Sequence, residues 1–212
     1  MAGIKRGVLI SFEGVEGSGK STQARALVDW LEAAGLPCLF VREPGGTPVG
    51  EMIREILLRP GLAVHPRTET LLFLAARSQL VAEMLLPALR DRKIVVTDRF
   101  ADSTFAYQVC GRGLPPRRIA IFNRFATSGL NPDLTFLVDL DIRKRHERGK
   151  SQDRMEIEND TYHELVRQGF LKLAGRARKR IKVLDGEKPV AELTGEITDQ
   201  VKNFLLNKGY KL

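Results

Sequence analysis

One feature constrains the fold of this chain more than any other, a glycine-rich loop between a short apolar run and a helical pattern. Residues 14–21 read GVEGSGKS and fit the pattern GxxxxGK[ST] in full. The apolar run at 8–12 predicts a buried strand, and residues 20–34 place Ala24 and Leu27 on one helical face. A strand, this loop and a helix in that order indicate a phosphate-binding loop.

The composition of the loop explains why it would bind phosphate. Glycines let the backbone curl so that successive amides point at phosphate oxygens, and the start of the next helix adds partial positive charge. We expect Lys20 to reach the β- and γ-phosphates of a nucleoside triphosphate and the Ser21 hydroxyl to ligate Mg²⁺. The predicted triphosphate contacts are Gly14, Val15, Glu16, Gly17, Ser18, Gly19, Lys20, Ser21 and Thr22.

Four further apolar segments alternate with helical patterns along the chain. Together with the first strand they predict a sheet of five buried strands; the further segments are 38–41, 94–97, 134–138 and 181–184. Such alternation predicts an α/β fold in which helices cover both faces of a mostly parallel sheet, with ligands beyond the carboxyl ends of the strands. The 212 residues show no internal repeat or low-complexity linker, so we predict a single domain over residues 1–212.

Charge and cysteine content decide which partners and compartments must be considered. The 34 Lys and Arg against 26 Asp and Glu give a net charge of +8, which favours either nucleic acid or an enzyme that holds two nucleotides. Cys38 and Cys110 have no metal-ligand spacing and are predicted to be reduced. The run at 8–12 is too short for a signal peptide, and the apolar run at 71–89 is interrupted by charged residues. We therefore expect a cytoplasmic protein without a membrane span.

Two polar clusters leave their own interpretation open. In REPGGT, residues 42–47, Glu43 directly follows a predicted strand, where it would hold a metal-bound water or a sugar hydroxyl; the turn is equally compatible with a purely structural role. Phe73 and Arg77 lie four residues apart in the long apolar helix and share a face. That spacing fits a stacked base with a guanidinium at its edge, but also a core phenylalanine beside a solvated arginine.

A third cluster, DRFADSTFAYQ, follows the predicted strand at 94–97. Charged residues directly after a buried parallel strand point into the ligand crevice. Asp98 is therefore predicted to hold Mg²⁺ or its water, and Arg99 to clamp a phosphate through two hydrogen bonds.

Taken together, five segments resemble the successive signatures of the thymidylate kinases, which phosphorylate dTMP from ATP. They are FEGVEGSGKSTQ, REPGGT, FLAARSQ, DRFADSTFAYQ and DRMEIEN, and the match covers almost the whole chain. The resemblance implies a three-layer phosphate-loop NTPase fold with a five-stranded parallel sheet and a short lid at about 143–156. It also implies Mg²⁺ as cofactor, ATP and dTMP as small-molecule partners, no nucleic-acid or membrane partner, and a homodimer packed through helices.

The resemblance assigns roles in the base and sugar site to matching positions. Phe73 would stack on thymine and Arg77 would hydrogen-bond its edge, while Thr104 and Gln108 would read the rest of the ring. Tyr107 would crowd the 2′ position of the sugar and so favour deoxyribose.

The resemblance also assigns the phosphate contacts. Arg54 and Arg99 would hold the dTMP phosphate, Glu43 and Asp98 would lie near the metal and the acceptor, and residues 185–189 would border the adenine. The implied dTMP contacts are Arg54, Phe73, Arg77, Arg99, Ser103, Thr104, Tyr107 and Gln108.

Thymidylate kinases take a transition-state arginine either from the phosphate loop or from the lid. Gly17 occupies the loop position here, so the chain resembles the bacterial type and assigns that charge to Arg148 in the polar segment 143–154, which we predict to be mobile. The other candidates in that segment are Arg143, Arg145 and Arg154. The predicted catalytic residues are Lys20, Glu43, Asp98, Arg99 and Arg148.

Other functional classes share the phosphate loop. A kinase acting on UMP, CMP, AMP or a shikimate-like alcohol is the nearest alternative, and FLAARSQ and AYQ argue against it. A GTP-dependent switch needs an NKxD motif, but the Asn207-Lys208 pair is followed by Gly-Tyr. A helicase-like motor needs a strand that ends in Asp-Glu, whereas residues 139–141 read Asp-Leu-Asp.

Overall fold

The computed structural model describes residues 6–145 and 153–211. The strands are β1 (Val8–Glu13), β2 (Cys38–Arg42), β3 (Ile94–Asp98), β4 (Leu134–Asp139) and β5 (Ile181–Asp185). The helices are α1 (Lys20–Ala33), α2 (Pro48–Leu58), α3 (Pro66–Leu80), α4 (Leu86–Arg90), α5 (Ala101–Thr104), α6 (Pro116–Ala126), α7 (Ile142–Arg145), α8 (Asp160–Arg176) and α9 (Val190–Asn207). Two further segments have π-helical hydrogen bonding, Val81–Leu85 after α3 and Phe105–Gly111 after α5.

The strands form one parallel sheet in the order β2-β3-β1-β4-β5, which confirms the predicted α/β fold class. Each strand runs one residue beyond the predicted apolar segment and ends on a charged side chain; these are Glu13, Arg42, Asp98, Asp139 and Asp185. Apolar patterning detects only the buried part of a strand, whereas backbone pairing continues to the edge of the sheet. The register pairs both Phe12 and Arg42 with Asp98, so the strand ends meet at one edge.

Helices cover both faces of this sheet because its side chains alternate. On one face, Val8, Ile10 and Phe12 pack against α1 and α9. On the other face, Leu9 packs against the end of α3 and the π-helical segment that follows, while Leu137 packs against α8. The result is the predicted three-layer arrangement, with its ligand-binding edge at the carboxyl ends of the strands.

Within the described residues, the helical segment Pro66–Arg90 is long and apolar enough to cross a membrane, and its most apolar 18-residue stretch has a mean hydropathy of 1.4. The second half of this segment packs on the sheet, where Leu80, Val81, Leu85 and Leu89 are buried. Arg77, in the same segment, is buried in an ion pair with Glu43. Packing within the protein therefore accounts for the apolar residues of the second half of the segment, whereas Leu71 in its first half is exposed.

Candidate active site

A cleft of about 280 Å³ opens at the carboxyl edge of the sheet. The predicted site residues that line it are Glu16, Lys20, Ser21, Glu43, Arg54, Phe73, Arg77, Asp98, Arg99, Ser103, Thr104, Tyr107 and Gln108. The other predicted triphosphate contacts belong to the phosphate loop itself and to the start of α1. The structure thus brings residues from five separate sequence segments to one cleft.

Several lining residues were not predicted as site residues; they are Arg25, Phe40, Arg42, Pro44, Leu58, Asp153, Met155 and Glu156. Arg25 lies one helical turn beyond Ser21 on α1, so helical spacing from the loop serine is a signal that identifies it. Asp153 and Glu156 belong to the segment DRMEIEN, in which two carboxylates three residues apart mark the same side of a helical turn.

The phosphate loop needs its glycines for backbone geometry. Gly14, Gly17 and Gly19 have φ values of 144°, 75° and 96°, which side chains rarely allow. A Cβ on Gly14 would also lie 2.5 Å from the Val138 carbonyl oxygen. Lys20 is buried at the end of this loop, with Nζ 3.4 Å from the carbonyl oxygen of Val15. Positive φ values at these glycines are the backbone geometry that a curled, anion-binding loop requires.

Electrostatics around Lys20 match its position at the loop. Burial and the neighbouring Arg99 lower the pKa of Lys20, while Asp98 and Glu16 oppose that shift. A cation that is disfavoured by burial and by a neighbouring arginine gains when phosphate arrives, because phosphate supplies further countercharge.

Glu16 joins the phosphate loop to the other half of the cleft. Its Oε1 accepts hydrogen bonds from Arg99 at 2.9 Å and from the Tyr107 hydroxyl at 2.7 Å. Burial would raise the pKa of Glu16, but Arg99 and Lys20 outweigh it and lower the pKa. On its far side, His163 Nδ1 lies 3.6 Å from Glu16 Oε2. The backbone of Glu16 therefore belongs to the loop, while its side chain belongs to the predicted dTMP site.

Ser21 and Asp98 form the corner predicted to hold a metal. The Ser21 hydroxyl donates a hydrogen bond to Asp98 Oδ2. Asp98 Oδ1 is buried and has no hydrogen-bond partner within the described part of the chain. Among residues 6–145 and 153–211, no group of three or more His, Cys, Asp or Glu side chains forms a complete cation site. A hydroxyl and one carboxylate suit Mg²⁺, which usually takes its other ligands from nucleotide phosphates and water.

Arg99 is held in place by the phosphate loop and by the carboxyl end of β1. It has a φ of 73°, and its backbone N–H donates to the Phe12 carbonyl at 2.9 Å. Its guanidinium donates to the Gly14 carbonyl at 3.0 Å and lies 5.0 Å from the centre of the Tyr107 ring. Burial would lower the pKa of Arg99, but Tyr107 and nearby carboxylates outweigh it and raise the pKa. Arg99 therefore stays charged beside the loop.

Glu13, at the end of β1, fixes the turn that carries Arg99 and was missed by sequence analysis. Its carboxyl accepts hydrogen bonds from the Phe100 backbone at 2.8 Å and from the Ser103 hydroxyl at 2.5 Å. Burial, with a contribution from Asp102, raises the pKa of Glu13 to about 8. The signal available in the sequence was its position directly after a buried strand.

Arg77 is buried, which excludes the interpretation that it lies on a solvated edge of its helix. Its Nε and one terminal nitrogen contact Glu43 Oε2 at 2.7 and 2.6 Å. The other terminal nitrogen donates to the Thr104 hydroxyl and, at 2.8 Å, to Asn123 Oδ1, and a further bond reaches the Phe100 carbonyl at 3.0 Å. The guanidinium thus links the turn after β2, the segment after β3 and helix α6.

Glu43 is buried as the partner of Arg77, and its turn has a clear structural role, while its predicted contact with a metal-bound water or a sugar hydroxyl stays a prediction. The turn is structural, because Gly45 and Gly46 adopt positive φ values of 131° and 85° and Thr47 caps α2 through the Gly50 backbone N–H at 3.0 Å. The carboxyl also lines the cleft. Burial raises the pKa of Glu43, an effect that the Arg77 charge only partly offsets.

Phe73 and Arg54 both line the cleft, in different surroundings. Phe73 is half-buried and packs beside the core cluster that contains Tyr107 and Met155. Arg54 donates a hydrogen bond to the Pro44 carbonyl at 2.7 Å. Burial lowers the pKa of Arg54. A half-buried aromatic ring and a partly desolvated arginine suit a base and a phosphate at the two ends of one nucleotide.

Of the arginines in the predicted lid segment, Arg148 lies outside the described residues, and the contacts of the other three are known. Arg143 is exposed and pairs with Asp141 at 2.7 Å. Arg145 donates to the Glu156 carbonyl at 2.6 Å, and Arg154 donates to Glu69 Oε2 at 2.7 Å. None of these three lines the cleft in the described part of the chain.

Comparison with known proteins identifies a family. The thymidylate kinase family model matches residues 12–197. The chain is 45% identical over 202 residues to the thymidylate kinase of Kosmotoga olearia, covering 94% of this chain and 96% of that one. It is 44% identical over 200 residues to the thymidylate kinase of Fervidobacterium nodosum, covering 93% and 100%. The crystal structure of thymidylate kinase from Ehrlichia chaffeensis superposes with a TM-score of 0.76 at 31% identity, covering 92% of this chain and 98% of that one.

Proposed function

Since the chain belongs to the thymidylate kinase family and phosphorylates dTMP to dTDP with ATP, we propose how the residues of the cleft divide this reaction. One observation supports the division best. Every predicted dTMP contact lines the same cleft as Lys20 and Ser21, so a monophosphate and a triphosphate would meet there. Bringing two reactants together in this way lowers the entropic part of the barrier.

We assign ATP to the phosphate loop and to the loop after β5. The amides of residues 14–22 would bind the triphosphate, and Lys20 would contact its β- and γ-phosphates. The segment 185–189 would border the adenine. This segment is held against the end of β4, because the Gly186 N–H donates to the Asp139 carbonyl at 2.7 Å and a Cβ on Gly186 would lie 2.7 Å from the same oxygen.

Mg²⁺ would be held by Ser21 and Asp98. The orphaned, buried Oδ1 of Asp98 and its contact with the Ser21 hydroxyl support this assignment. When bound, the ion would neutralise charge on the β- and γ-phosphates.

We assign dTMP to the opposite half of the cleft. Phe73 would stack on the thymine, Tyr107 would lie against the sugar, and Arg54 and Arg99 would bind the phosphate. The Arg77 donors are shared with protein acceptors. Arg77 would therefore contribute to base recognition mainly by positioning the residues that it hydrogen-bonds, rather than through direct contacts with the base.

The remaining assigned contacts are Ser103, Thr104 and Gln108, all of which line the cleft. Each follows the turn after β3 on one continuous helical run. Because they share this run, a shift of the turn would move all three together, which explains why Glu13 holds it by two hydrogen bonds.

The chemical problem in this site is repulsion between two anions. The nucleophile is a phosphate oxygen of dTMP that is already ionised near neutral pH, so no strong general base is required. Lys20 and Arg99 would neutralise charge as the phosphoryl group transfers. We assign the remaining charge to Arg148 of the lid; arginines inserted in this way accelerate related reactions by about 10³ to 10⁵.

We further propose that the chain is one cytoplasmic domain with a lid at about 143–156, and that it forms a homodimer. An apolar face supports the dimer, because α2 packs on α3, α3 packs on α6, and all three expose large apolar side chains. These are Val49, Met52, Ile56, Leu71, Ile121, Phe122 and Phe125. Large apolar side chains exposed on neighbouring helices are typical of an interaction surface.

An ADP-release assay with a panel of monophosphates tests the assignment of the second site. With ATP and Mg²⁺, we expect dTMP to be preferred over dCMP, dAMP and UMP. Equal activity on all of them would contradict the base site described above, and release that depends on single-stranded DNA would contradict the division of the cleft altogether.

A further inference from the structure

The fully buried carboxylate of Glu69 lies behind the wall of the cleft. It is 0% exposed and comes from the first turns of α3. Its Oε1 accepts hydrogen bonds from Gln108 Nε2 at 3.2 Å and from Arg112 Nε at 3.1 Å. Its Oε2 accepts from Arg112 at 3.0 Å and from Arg154 at 2.7 Å. A carboxylate with four donors around it is fully engaged on the protein side.

These donors keep the carboxyl ionised. Burial would raise the pKa of Glu69, but the hydrogen bonds and charge of Arg112, together with hydrogen bonds from Arg154 and Gln108, outweigh it and lower the pKa. Arg112 is itself fixed, since it pairs with Glu158 at 2.7 Å and stacks 4.5 Å from the Tyr162 ring centre. The acceptor that Gln108 meets therefore has a constant charge and position.

An ionised carboxylate can only accept hydrogen bonds, and this decides which way the Gln108 amide points. The amide must turn its NH₂ group toward Glu69, so its carbonyl oxygen is the group left to face the cleft. Gln108 is 2% exposed and lines the cleft, so rotation into solvent would not relieve this constraint.

Thr104 has the opposite constraint. Arg77 has only donors, and one of them is directed at the Thr104 hydroxyl oxygen. The hydroxyl hydrogen is then free to point into the cleft. Thr104 and Gln108 are four residues apart on the same helical run and line the same wall. The wall therefore presents a donor beside an acceptor.

We propose that Glu69 is a positioning residue for base selection, which fixes the Gln108 amide so that the cleft accepts a base with an N–H next to a carbonyl. Thymine and uracil carry N3–H beside O4, which complement the Gln108 oxygen and the Thr104 hydroxyl. Cytosine presents an acceptor at N3 and an amino group at C4, so both contacts would be reversed. This inference rests on the dTMP site proposed above.

The experiment compares kcat/KM for dTMP and dCMP in wild type, Glu69→Gln and Glu69→Asp. The neutral side chain of the Glu69→Gln variant would permit the Gln108 amide to adopt both orientations. We expect the preference for dTMP over dCMP to fall about tenfold, which corresponds to the loss of one hydrogen bond. The loss should appear as an increased KM for dTMP. The KM for ATP should be unchanged, since the phosphate loop keeps its contacts.

Glu158→Gln is the matched control, because it removes a carboxylate from the same Arg112 without touching Gln108. It should leave the preference as in wild type. Gln108→Leu sets the full size of the effect of losing the acceptor. Circular dichroism and thermal melting establish that each variant is folded before its kinetics are compared.

The outcomes separate this inference from the proposed site. If Gln108→Leu lowers the preference and folded Glu69→Gln does not, Glu69 has no positioning role and the base site stands. If Gln108→Leu leaves the preference unchanged, Gln108 does not read the base and both proposals fail. If Glu69→Gln does not fold, Glu69→Asp decides, because it keeps the charge but withdraws it by one methylene. An unchanged preference in Glu69→Asp would overturn the inference.

Discussion

Replacement of Glu43 by glutamine tests whether this residue acts by holding Arg77. In the structure the two side chains are 4% and 3% exposed and are joined by contacts of 2.6 and 2.7 Å. Removing one partner from a buried ion pair costs about 3–5 kcal/mol, because the other charge stays buried. The amide introduced by Glu43→Gln would keep one acceptor oxygen for Arg77, so we expect the lower end, about 3 kcal/mol.

Thermal unfolding measures this cost directly. For a domain of this size, about 3 kcal/mol corresponds to a fall in Tm of about 6–12 °C. Glu187→Gln is a matched control, since Glu187 pairs with Lys144 while its side chain is 40% exposed. An exposed pair contributes about 0.2–1 kcal/mol, so the Tm of this variant should fall by no more than about 4 °C.

Kinetics then separate two roles for Glu43. If the carboxylate positions Arg77 and, through it, the base wall, Glu43→Gln should raise KM for dTMP more than KM for ATP. An unchanged Tm together with an increased Mg²⁺ requirement would refute the ion-pair reasoning and assign Glu43 to the metal instead.

The remaining predictions concern pH, assembly and the lid. The pKa of Glu13 is raised to about 8, so the native state binds more protons than the unfolded state above pH 4.5. The contribution of Glu13 to the free energy of unfolding is thus fully present below about pH 4.5 and is lost as the pH rises through 8. Urea titrations should show Glu13→Gln gaining stability relative to wild type over that range, and a constant difference would contradict this. Phe125→Asp should convert a dimer into a monomer in light scattering because Phe125 is 83% exposed on the apolar face, whereas Leu206→Asp on α9 should not; a monomeric wild type would exclude the interface. Arg148→Ala should lower kcat by about 10³ with little change in KM for dTMP, while the exposed Arg143→Ala should not, and equal kcat for both would remove Arg148 from the mechanism.

The sequence was sufficient for the parts of the fold that depend on local pattern. Apolar runs identified each of the strands, and the glycine pattern identified the phosphate loop, because both signals lie within a few neighbouring residues. The strand ends were each short by one residue, since Asp98 and its counterparts pair through the backbone but are not apolar.

The supporting charges of the site could not be found in the same way. Glu69 looks like an ordinary acidic residue in the first turn of a helix, and only the fold brings Arg154, 85 residues away, to its carboxylate. Similarly, Arg77 looked like a candidate for a solvated edge because its partner Glu43 lies 34 residues earlier. Neither pairing leaves a periodic signal in the sequence.

A crystal structure with dTMP and a non-hydrolysable ATP analogue tests the central claim most directly. We predict thymine stacked on Phe73 with its N3–H facing Gln108, the dTMP phosphate contacting Arg99, and the triphosphate in the loop that ends at Lys20. A monophosphate bound with its base away from Phe73, or with its phosphate out of reach of Arg99, would contradict the proposed division of the cleft.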